Sequence, residues 1–270
     1  MTATRTIAVP TERMIARIEG AIGWMVFNHP ARRNALTQEM WTAIPAILDQ
    51  FEQDPAVRVI VLRGAGEQAF IAGADISQFE QLHADPTAVE RFNATVSEAG
   101  DRLAGSDKPT IAMIRGFCIG GGVGIAAACD LRFAADDASF GVPAARLGLG
   151  YGPDGVKRLL DLVGPANTRE IFLTARHFTA AEMHAMGFLN RVTPAEGLEA
   201  QVRSTCELIA GNAPLTIKAL KRSVAELSRP PGTADIGLCN RLVRDCFDSA
   251  DYAEGRRAFM EKRKPAFRGC

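Results

Sequence analysis

Three consecutive glycines stand in the most apolar part of the chain. Residues 111–132 have the sequence IAMIRGFCIGGGVGIAAACDLR, in which a strand-like segment leads through Gly120, Gly121 and Gly122 into a short apolar helix. Glycine permits backbone turns that other residues disfavour and lets a ligand come close to main-chain N–H groups. The first N–H groups of a helix have no intrahelical acceptor and carry a partial positive charge, so they can stabilise an oxyanion. Tight packing of a helix on a strand is the alternative explanation.

The glycine run does not match the common nucleotide-binding motifs. No Gly-Lys-Ser/Thr follows it, as a Walker A loop requires, and it is not a G-x-G-x-x-G followed by a ribose-binding acid. Two further segments favour a functional role for the glycines. Residues 72–76 (AGADI) form a second glycine turn after a short apolar strand, and residues 139–143 (SFGVP) lead into residues 146–150 (RLGLG).

In this order the segments resemble the enoyl-CoA hydratase/isomerase (crotonase) superfamily. The shared pattern is AGADI, a GGG turn, CDLRxAxxxAxFGxP, then a leucine–glycine loop and a helix, and it continues through residues 179–192 (TAAEMHAMGFLNRV) to residues 259–267 (FMEKRKPAF). The resemblance implies an α/β fold: a crotonase-like ββα spiral core with the acyl-CoA site, residues 1–195, and a helical C-terminal trimerisation module, residues 196–270. It also implies a homotrimer, or a hexamer of paired trimers.

The resemblance assigns roles to individual positions. The backbone N–H groups of Ala74 and Gly121 would form an oxyanion hole that holds a thioester carbonyl and stabilises the adjacent enolate. Contacts with coenzyme A would come from two turns and the C-terminal tail: Arg32, Arg33, Ala35, Ala72, Asp75, Ile76, Phe259 and Lys262. The last two would reach a coenzyme A bound to a neighbouring subunit. The implied substrate is an acyl-CoA, with no metal and no cofactor beyond the coenzyme A that the substrate carries.

Two residues of the family pattern are missing. Hydratases of the family use two glutamates as general acid and base on a water molecule, and the corresponding positions here are Gly124 and Ala144. The chain has no glutamate between Glu98 and Glu170, so no neighbouring glutamate can replace them. Because each such group contributes about 10²–10⁴-fold to the rate, ordinary hydration is not expected.

Residues 150–155 (GYGPDG) supply other candidates. Tyr151 is equally explained by packing and by proton donation to an enolate; malonyl-type acyl-CoA decarboxylases of the superfamily carry a tyrosine there, but they have a histidine where this chain has Ala74. Asp154 is either a displaced base or, as the favoured explanation, a helix N-cap. His83 is a further possible acid or base. The candidate functions are a different enolate reaction, decarboxylation among them, or acyl-CoA binding without catalysis.

The elements that must position these residues follow from the hydrophobic pattern. Strands are predicted at residues 14–19, 21–28, 58–63, 110–115 and 131–134, and helices at residues 37–53 and 87–104. Alternation of strands, glycine turns and helices indicates an α/β architecture. Beyond residue 195 almost every segment has a helical pattern, which places a boundary there.

Composition excludes several functional classes. Lys and Arg number 31, Asp and Glu also 31, so the formal net charge is zero and a general nucleic-acid binder is not expected. The six cysteines form no CxxC pair, which argues against a zinc site and against a secreted disulfide framework. There is no signal-peptide h-region and no apolar run near the roughly 20 residues that cross a membrane. We therefore expect a cytoplasmic protein that does not bind membranes.

Overall fold

The computed structural model describes residues 4–75 and 86–270. Within them the strands are β1 (Thr4–Ile7), β2 (Met14–Glu19), β3 (Ile22–Phe27), β4 (Val59–Gly64), β5 (Ala69–Ile71), β6 (Thr110–Ile114), β7 (Phe117–Ile119), β8 (Leu131–Ala135), β9 (Ser139–Gly141), β10 (Phe178–Thr179) and β11 (Arg191–Thr193). The helices are α1 (Gln38–Gln53), α2 (Pro86–Ala104), α3 (Gly121–Ala128), α4 (Pro153–Thr174), α5 (Ala180–Ala185), α6 (Leu198–Ala210), α7 (Pro214–Leu227), α8 (Ile236–Phe247) and α9 (Ala250–Met260). Short 3₁₀ turns occupy Pro30–Arg32, Pro143–Leu147 and Ala195–Gly197.

The strands form two sheets. The larger has the order β1-β2-β3-β4-β6-β8-β11 and the smaller the order β10-β9-β7-β5. From β3 to β11 the larger sheet is parallel, and β5, β7 and β9 of the smaller sheet are parallel to one another. From β4 to β9 successive strands alternate between the sheets, and α2, α3 and α4 each follow one such pair. The chain therefore repeats a ββα unit, and the predicted ββα spiral is confirmed.

The central strands of the larger sheet are buried on both faces. Parallel strands covered by helices on both sides require nearly continuous apolar sequence, and all six residues of β3 are buried. One face packs against α1, through Met40, Ile44 and other side chains. The other face packs against α6, through Leu198 and Val202. The first long helix after residue 195 thus shares a core with the sheet, and the division of the chain at that residue stays a prediction.

The predicted elements agree with the described ones to within a few residues. The helix predicted after Thr37 is α1, with Thr37 at its N-cap, although no side-chain capping bond forms there. The C-terminal helical pattern corresponds to α6, α7, α8 and α9. None of the helices in the described ranges is both long enough and apolar enough to span a membrane.

Candidate functional site

Three turns of the chain meet at one edge of the smaller sheet. Strands β5, β7 and β9 are parallel neighbours, so the turns that follow them leave the sheet side by side. These turns are residues 72–75, residues 120–122 and the segment that begins at Val142. All three line a cavity of about 310 Å³. The sequence segments that first indicated a site are therefore adjacent in the structure.

Two residues that line this cavity, Ala74 and Gly121, have a backbone N–H without a partner among the described residues. Leu36 forms an isolated parallel bridge with Ala74: its N–H donates to the Gly73 carbonyl at 2.8 Å, and its carbonyl accepts from the Asp75 N–H at 2.8 Å. The N–H of Ala74 makes no hydrogen bond in this bridge, and it has no acceptor in the part of the chain that the structure describes. Gly121 is the first residue of α3, where a helix offers no internal acceptor.

Glycine is needed in these turns for two reasons. Gly73 and Gly120 have φ angles of 110° and 53°, which other residues disfavour. At Gly122 the reason is space, because a Cβ atom would lie 2.6 Å from the Ile71 carbonyl oxygen. The tight-packing explanation of the glycine run thus holds most strongly for Gly122, while Gly121 also lines the cavity.

A second, larger cavity of about 550 Å³ adjoins the first. It lies between α2, α3 and the start of α4, with apolar walls that include Phe92, Val96 and Ile125 and a polar side formed by Ser97, Asp154 and Arg158. The two cavities share four lining residues: Ala74, Gly121, Leu149 and Tyr151. The two unpartnered N–H groups therefore lie at the junction of the cavities.

Tyr151 is held at this junction by packing. Its ring contacts Phe172 edge-on at 4.9 Å between centroids, and it fills the space beside Gly155, where a Cβ would lie 2.5 Å from a ring carbon. Its hydroxyl lies 3.5 Å from the position that a Cβ of residue 124 would take. The hydroxyl thus lies beside Gly124, one of the two positions to which the sequence resemblance assigned a hydratase glutamate.

Burial decides the protonation of Tyr151. It raises the pKa of the phenol to about 12, against the opposing effect of the nearby Arg158 guanidinium. The hydroxyl is therefore protonated at neutral pH. It has no hydrogen-bond partner among the described residues, so its proton is available to a molecule in the cavity.

Asp154 is not the helix N-cap that was favoured from the sequence. Helix α4 begins at Pro153 with Gly152 at the N-cap, so Asp154 lies inside the first turn. That turn favours a carboxylate because the helix dipole is positive there. The exposed carboxylate accepts a hydrogen bond from the Ser97 hydroxyl and borders the larger cavity.

The other predicted contact residues are distributed over two regions. Ala72 lines the smaller cavity, and its N–H donates to the Arg33 carbonyl at 3.0 Å, which ties it to the turn that contains Arg32 and Ala35. Both arginine side chains are exposed, and Ala35 and Asp75 are half-buried. Ile76 and His83 lie outside the described residues.

Two predicted residues lie apart from both cavities. Phe259, 83% exposed near the end of α9, and Lys262 just beyond it line neither of them. Their proposed contact is with a ligand of another subunit, and it stays a prediction.

Asn34 belongs to the site's framework and was not identified from the sequence. Its fully buried amide nitrogen donates to the carbonyls of Ala65 and Ala69 at 3.0 and 2.8 Å, and its amide oxygen accepts from the His29 N–H at 3.0 Å. These bonds fix the Pro30–Arg32 turn to the strand that precedes Ala72. In the structure Asn34 has a φ of 57°, which asparagine tolerates better than most residues, so the residue type was the one local indication.

Two buried thiols are not nucleophiles, and the described residues include no cluster of metal ligands. Burial raises the pKa of Cys129 to about 12 and that of Cys118 well above its ordinary value, so both remain protonated. Cys118 is fully buried, as expected of a packing residue. Across residues 4–75 and 86–270, no three His, Cys, Asp or Glu side chains converge as metal ligands would.

Comparisons with known proteins agree on one family. The family model described as enoyl-CoA hydratase/isomerase matches residues 17–270. The chain is 31% identical to the short-chain-enoyl-CoA hydratase of Clostridium acetobutylicum, over 93% of this chain and 95% of that protein. It is 32% identical to the crotonyl-CoA hydratase of Syntrophomonas wolfei, over 95% of this chain and 98% of the relative.

Solved structures give the same result. An enoyl-CoA hydratase/carnithine racemase from Magnetospirillum magneticum superposes with a TM-score of 0.92 at 33% identity, covering 97% of each chain. A family protein from Hyphomonas neptunium superposes with a TM-score of 0.90 at 36% identity, over 94% of this chain and 97% of that one. With this fold and a family match over nearly its whole length, the chain belongs to the enoyl-CoA hydratase/isomerase family.

Proposed function

We propose that this protein binds an acyl-CoA and stabilises the enolate of its thioester between the N–H groups of Ala74 and Gly121. The observation that carries the proposal is the position of these two donors, which lack acceptors among the described residues and lie where two cavities join. An oxyanion there would accept both hydrogen bonds, and one such donor is worth about 3–4 kcal/mol in comparable enzymes.

The two cavities suggest how the substrate lies. The smaller one begins at Ala72, beside the turn of Arg32 and Arg33, and would take the coenzyme A side of the thioester. The larger one lies on the other side of the two donors and would take the acyl group. Its polar side at Ser97, Asp154 and Arg158 would face the far end of the acyl chain.

Hydration is not the reaction that the residues favour. Gly124 lines the larger cavity and Ala144 the smaller, so the two positions of the hydratase glutamates reach the site without a carboxylate. The Tyr151 hydroxyl stands over the first of them. A reaction that forms the enolate without a base and then protonates it suits these groups better.

Decarboxylation of a malonyl-type acyl-CoA is such a reaction. The bond between Cα and the carboxylate breaks, CO₂ leaves, and the electron pair moves through Cα to the thioester oxygen held by Ala74 and Gly121. The Tyr151 hydroxyl then donates its proton to Cα, and the phenolate takes a proton from water. The protonated state of Tyr151 at neutral pH supports this role.

The test measures CO₂ release from malonyl-CoA by the wild-type protein and by two matched variants. Tyr151→Phe removes the proposed proton donor, and Tyr252→Phe changes the only other tyrosine, which lies on α9 and borders neither cavity. We expect turnover in wild type and in Tyr252→Phe, and a loss of about 10²–10⁴-fold in Tyr151→Phe.

Other outcomes would replace the proposal. Rapid hydration of crotonyl-CoA, near the ~10 s⁻¹ typical of enzymes, would show that water is activated by a group other than the missing glutamates. Binding of acyl-CoA without turnover of malonyl-CoA, crotonyl-CoA or longer esters would favour a non-catalytic acyl-CoA-binding protein.

A further inference from the structure

Arg132 is a buried cation at the opposite end of α3 from the proposed oxyanion site. It is 4% exposed, and its guanidinium donates mainly to main-chain carbonyls. Nε donates to Phe188 at 2.6 Å, and Nη1 donates to Cys129 at 2.6 Å and to Ala126 at 3.3 Å. The last two carbonyls belong to the C-terminal end of α3, where the helix dipole is negative.

No carboxylate is hydrogen-bonded to this charge among the described residues. The neighbouring Asp130 carboxylate instead accepts from the Lys221 ammonium at 2.6 Å and from the Thr110 N–H at 2.7 Å. A buried charge needs compensation, and here the carbonyls at the end of α3, the Phe188 carbonyl and the nearby Asp130 charge provide it. The Asp130 charge attracts the guanidinium from nearby, but the hydrogen bonds of Arg132 go to carbonyls and to the Asn190 amide oxygen, so the charge is fixed against the end of α3.

Helix α3 needs such an anchor. It has eight residues with the sequence GGVGIAAA, so it is short and three of its residues are glycines. Each glycine costs a helix about 1 kcal/mol relative to alanine, and isolated helices of this length are unstable. The position of the Gly121 N–H therefore depends on what holds the helix from outside.

We infer that Arg132 is a positioning residue of the oxyanion site: it fixes the C-terminal end of α3 and adds its charge to the field at the Gly121 N–H. This inference rests on the proposed function of that N–H group. At 1.5 Å per residue, the guanidinium and the first N–H of α3 are separated by about 12 Å. Across that distance in a protein interior, one charge changes the rate of enolate formation by about tenfold.

The test uses a chromophoric thioester, 4-dimethylaminocinnamoyl-CoA, whose absorption moves to longer wavelength when its carbonyl is polarised. It is bound to the wild-type protein and to Arg132→Met, Arg132→Lys and Arg203→Met. Arg203→Met is the control because Arg203 packs over Trp24 and pairs with Glu19 and Glu199, away from both cavities. Thermal unfolding of each variant shows that it is folded.

We expect a red shift in wild type, an unchanged shift in Arg203→Met, a reduced shift in Arg132→Met, and partial recovery in Arg132→Lys, which keeps the charge. CO₂ release from malonyl-CoA should fall by about tenfold in Arg132→Met. A full red shift in folded Arg132→Met would overturn the inference; if that variant does not fold, a full shift in Arg132→Lys would show that the bonds to α3 do not matter. Absence of any shift in the wild-type complex would instead contradict the proposed oxyanion site.

Discussion

The cavity region and the C-terminal helices use their apolar residues in opposite ways. Around the cavities, the strands and α1 bury their apolar side chains almost completely: Phe70, Ile71 and Phe140 are at most 1% exposed. On α7, α8 and α9, large apolar side chains remain in solvent around a groove of about 610 Å³. Leu220 is 63% exposed and Phe247 is 59% exposed.

A single chain supplies the whole proposed oxyanion site but leaves the apolar face of its C-terminal helices uncovered. The proposed donors of the site come from turns fixed by a single chain. The C-terminal helices leave apolar area that would gain about 1.5–3 kcal/mol per large side chain on burial. The exposed face therefore supports the expectation of a homotrimer or hexamer, which the family resemblance had suggested.

Among the changes that test this comparison, removal of one backbone donor of the site should have the largest effect. Proline has no N–H and is well tolerated at the first position of a helix, which Gly121 occupies. The variant Gly121→Pro therefore removes the donor at a position where proline is compatible with the helix. We expect CO₂ release from malonyl-CoA to fall by about 10²–10³-fold.

Gly121→Ala is the matched control. It adds a Cβ at the same place, 3.1 Å from a Leu36 methyl group, and keeps the N–H. Equal activity of the two variants would mean that this donor plays no part in the reaction.

Two glycines of α3 should respond in opposite directions to alanine. Gly122→Ala places a methyl group 2.6 Å from the Ile71 carbonyl, so we expect a loss of about 2 kcal/mol in the free energy of unfolding. Gly124→Ala meets only the Tyr151 hydroxyl at 3.5 Å and gains helix propensity, so stability should stay equal or rise. Denaturant unfolding measures both. Equal loss in the two variants would show that close packing at residue 122 is not what restricts the position.

Association should depend on the C-terminal face and not on exposed apolar residues in general. Leu220→Glu places a charge on the groove, and we expect self-association to weaken by at least about tenfold, as for a central interface residue. Leu173→Glu, at a 78% exposed position of α4, serves as the control. Sedimentation equilibrium would detect the shift toward the 29.0 kDa chain. A wild-type protein that is already monomeric would remove the argument for an oligomer.

The smallest effect concerns the titration of Tyr151. In Tyr252→Phe it is the only tyrosine, and ultraviolet absorbance should show its phenolate forming near pH 12. Arg158→Gln should raise that midpoint further because Arg158 lowers the pKa. Since the unfolded chain loses this proton first, from about pH 10, the free energy of unfolding should fall as pH rises toward 12. A midpoint near pH 10 would mean that the phenol is solvated.

The sequence by itself predicted the α/β class and the glycine turns because both depend on local patterns, while the resemblance to the family supplied the spiral fold and the two proposed donors. Apolar runs ending in glycine predicted strands followed by tight turns, and Gly121 could be assigned to a helix start. The same resemblance assigned the hydratase glutamates to the positions of Gly124 and Ala144. Asp154 shows the limit of local patterns, since helix α4 begins two residues earlier than a cap at that position would require.

Only the tertiary structure decided which distant residues meet. The hydroxyl of Tyr151 lies over Gly124 because β7 and β9 are parallel neighbours, which brings the turns after them together. The bonds of Asn34 to β5 and of Arg132 to α3 likewise follow from strand order and register. A side chain's neighbours across a sheet are set by pairing between distant segments, and no local pattern in the sequence specifies that pairing.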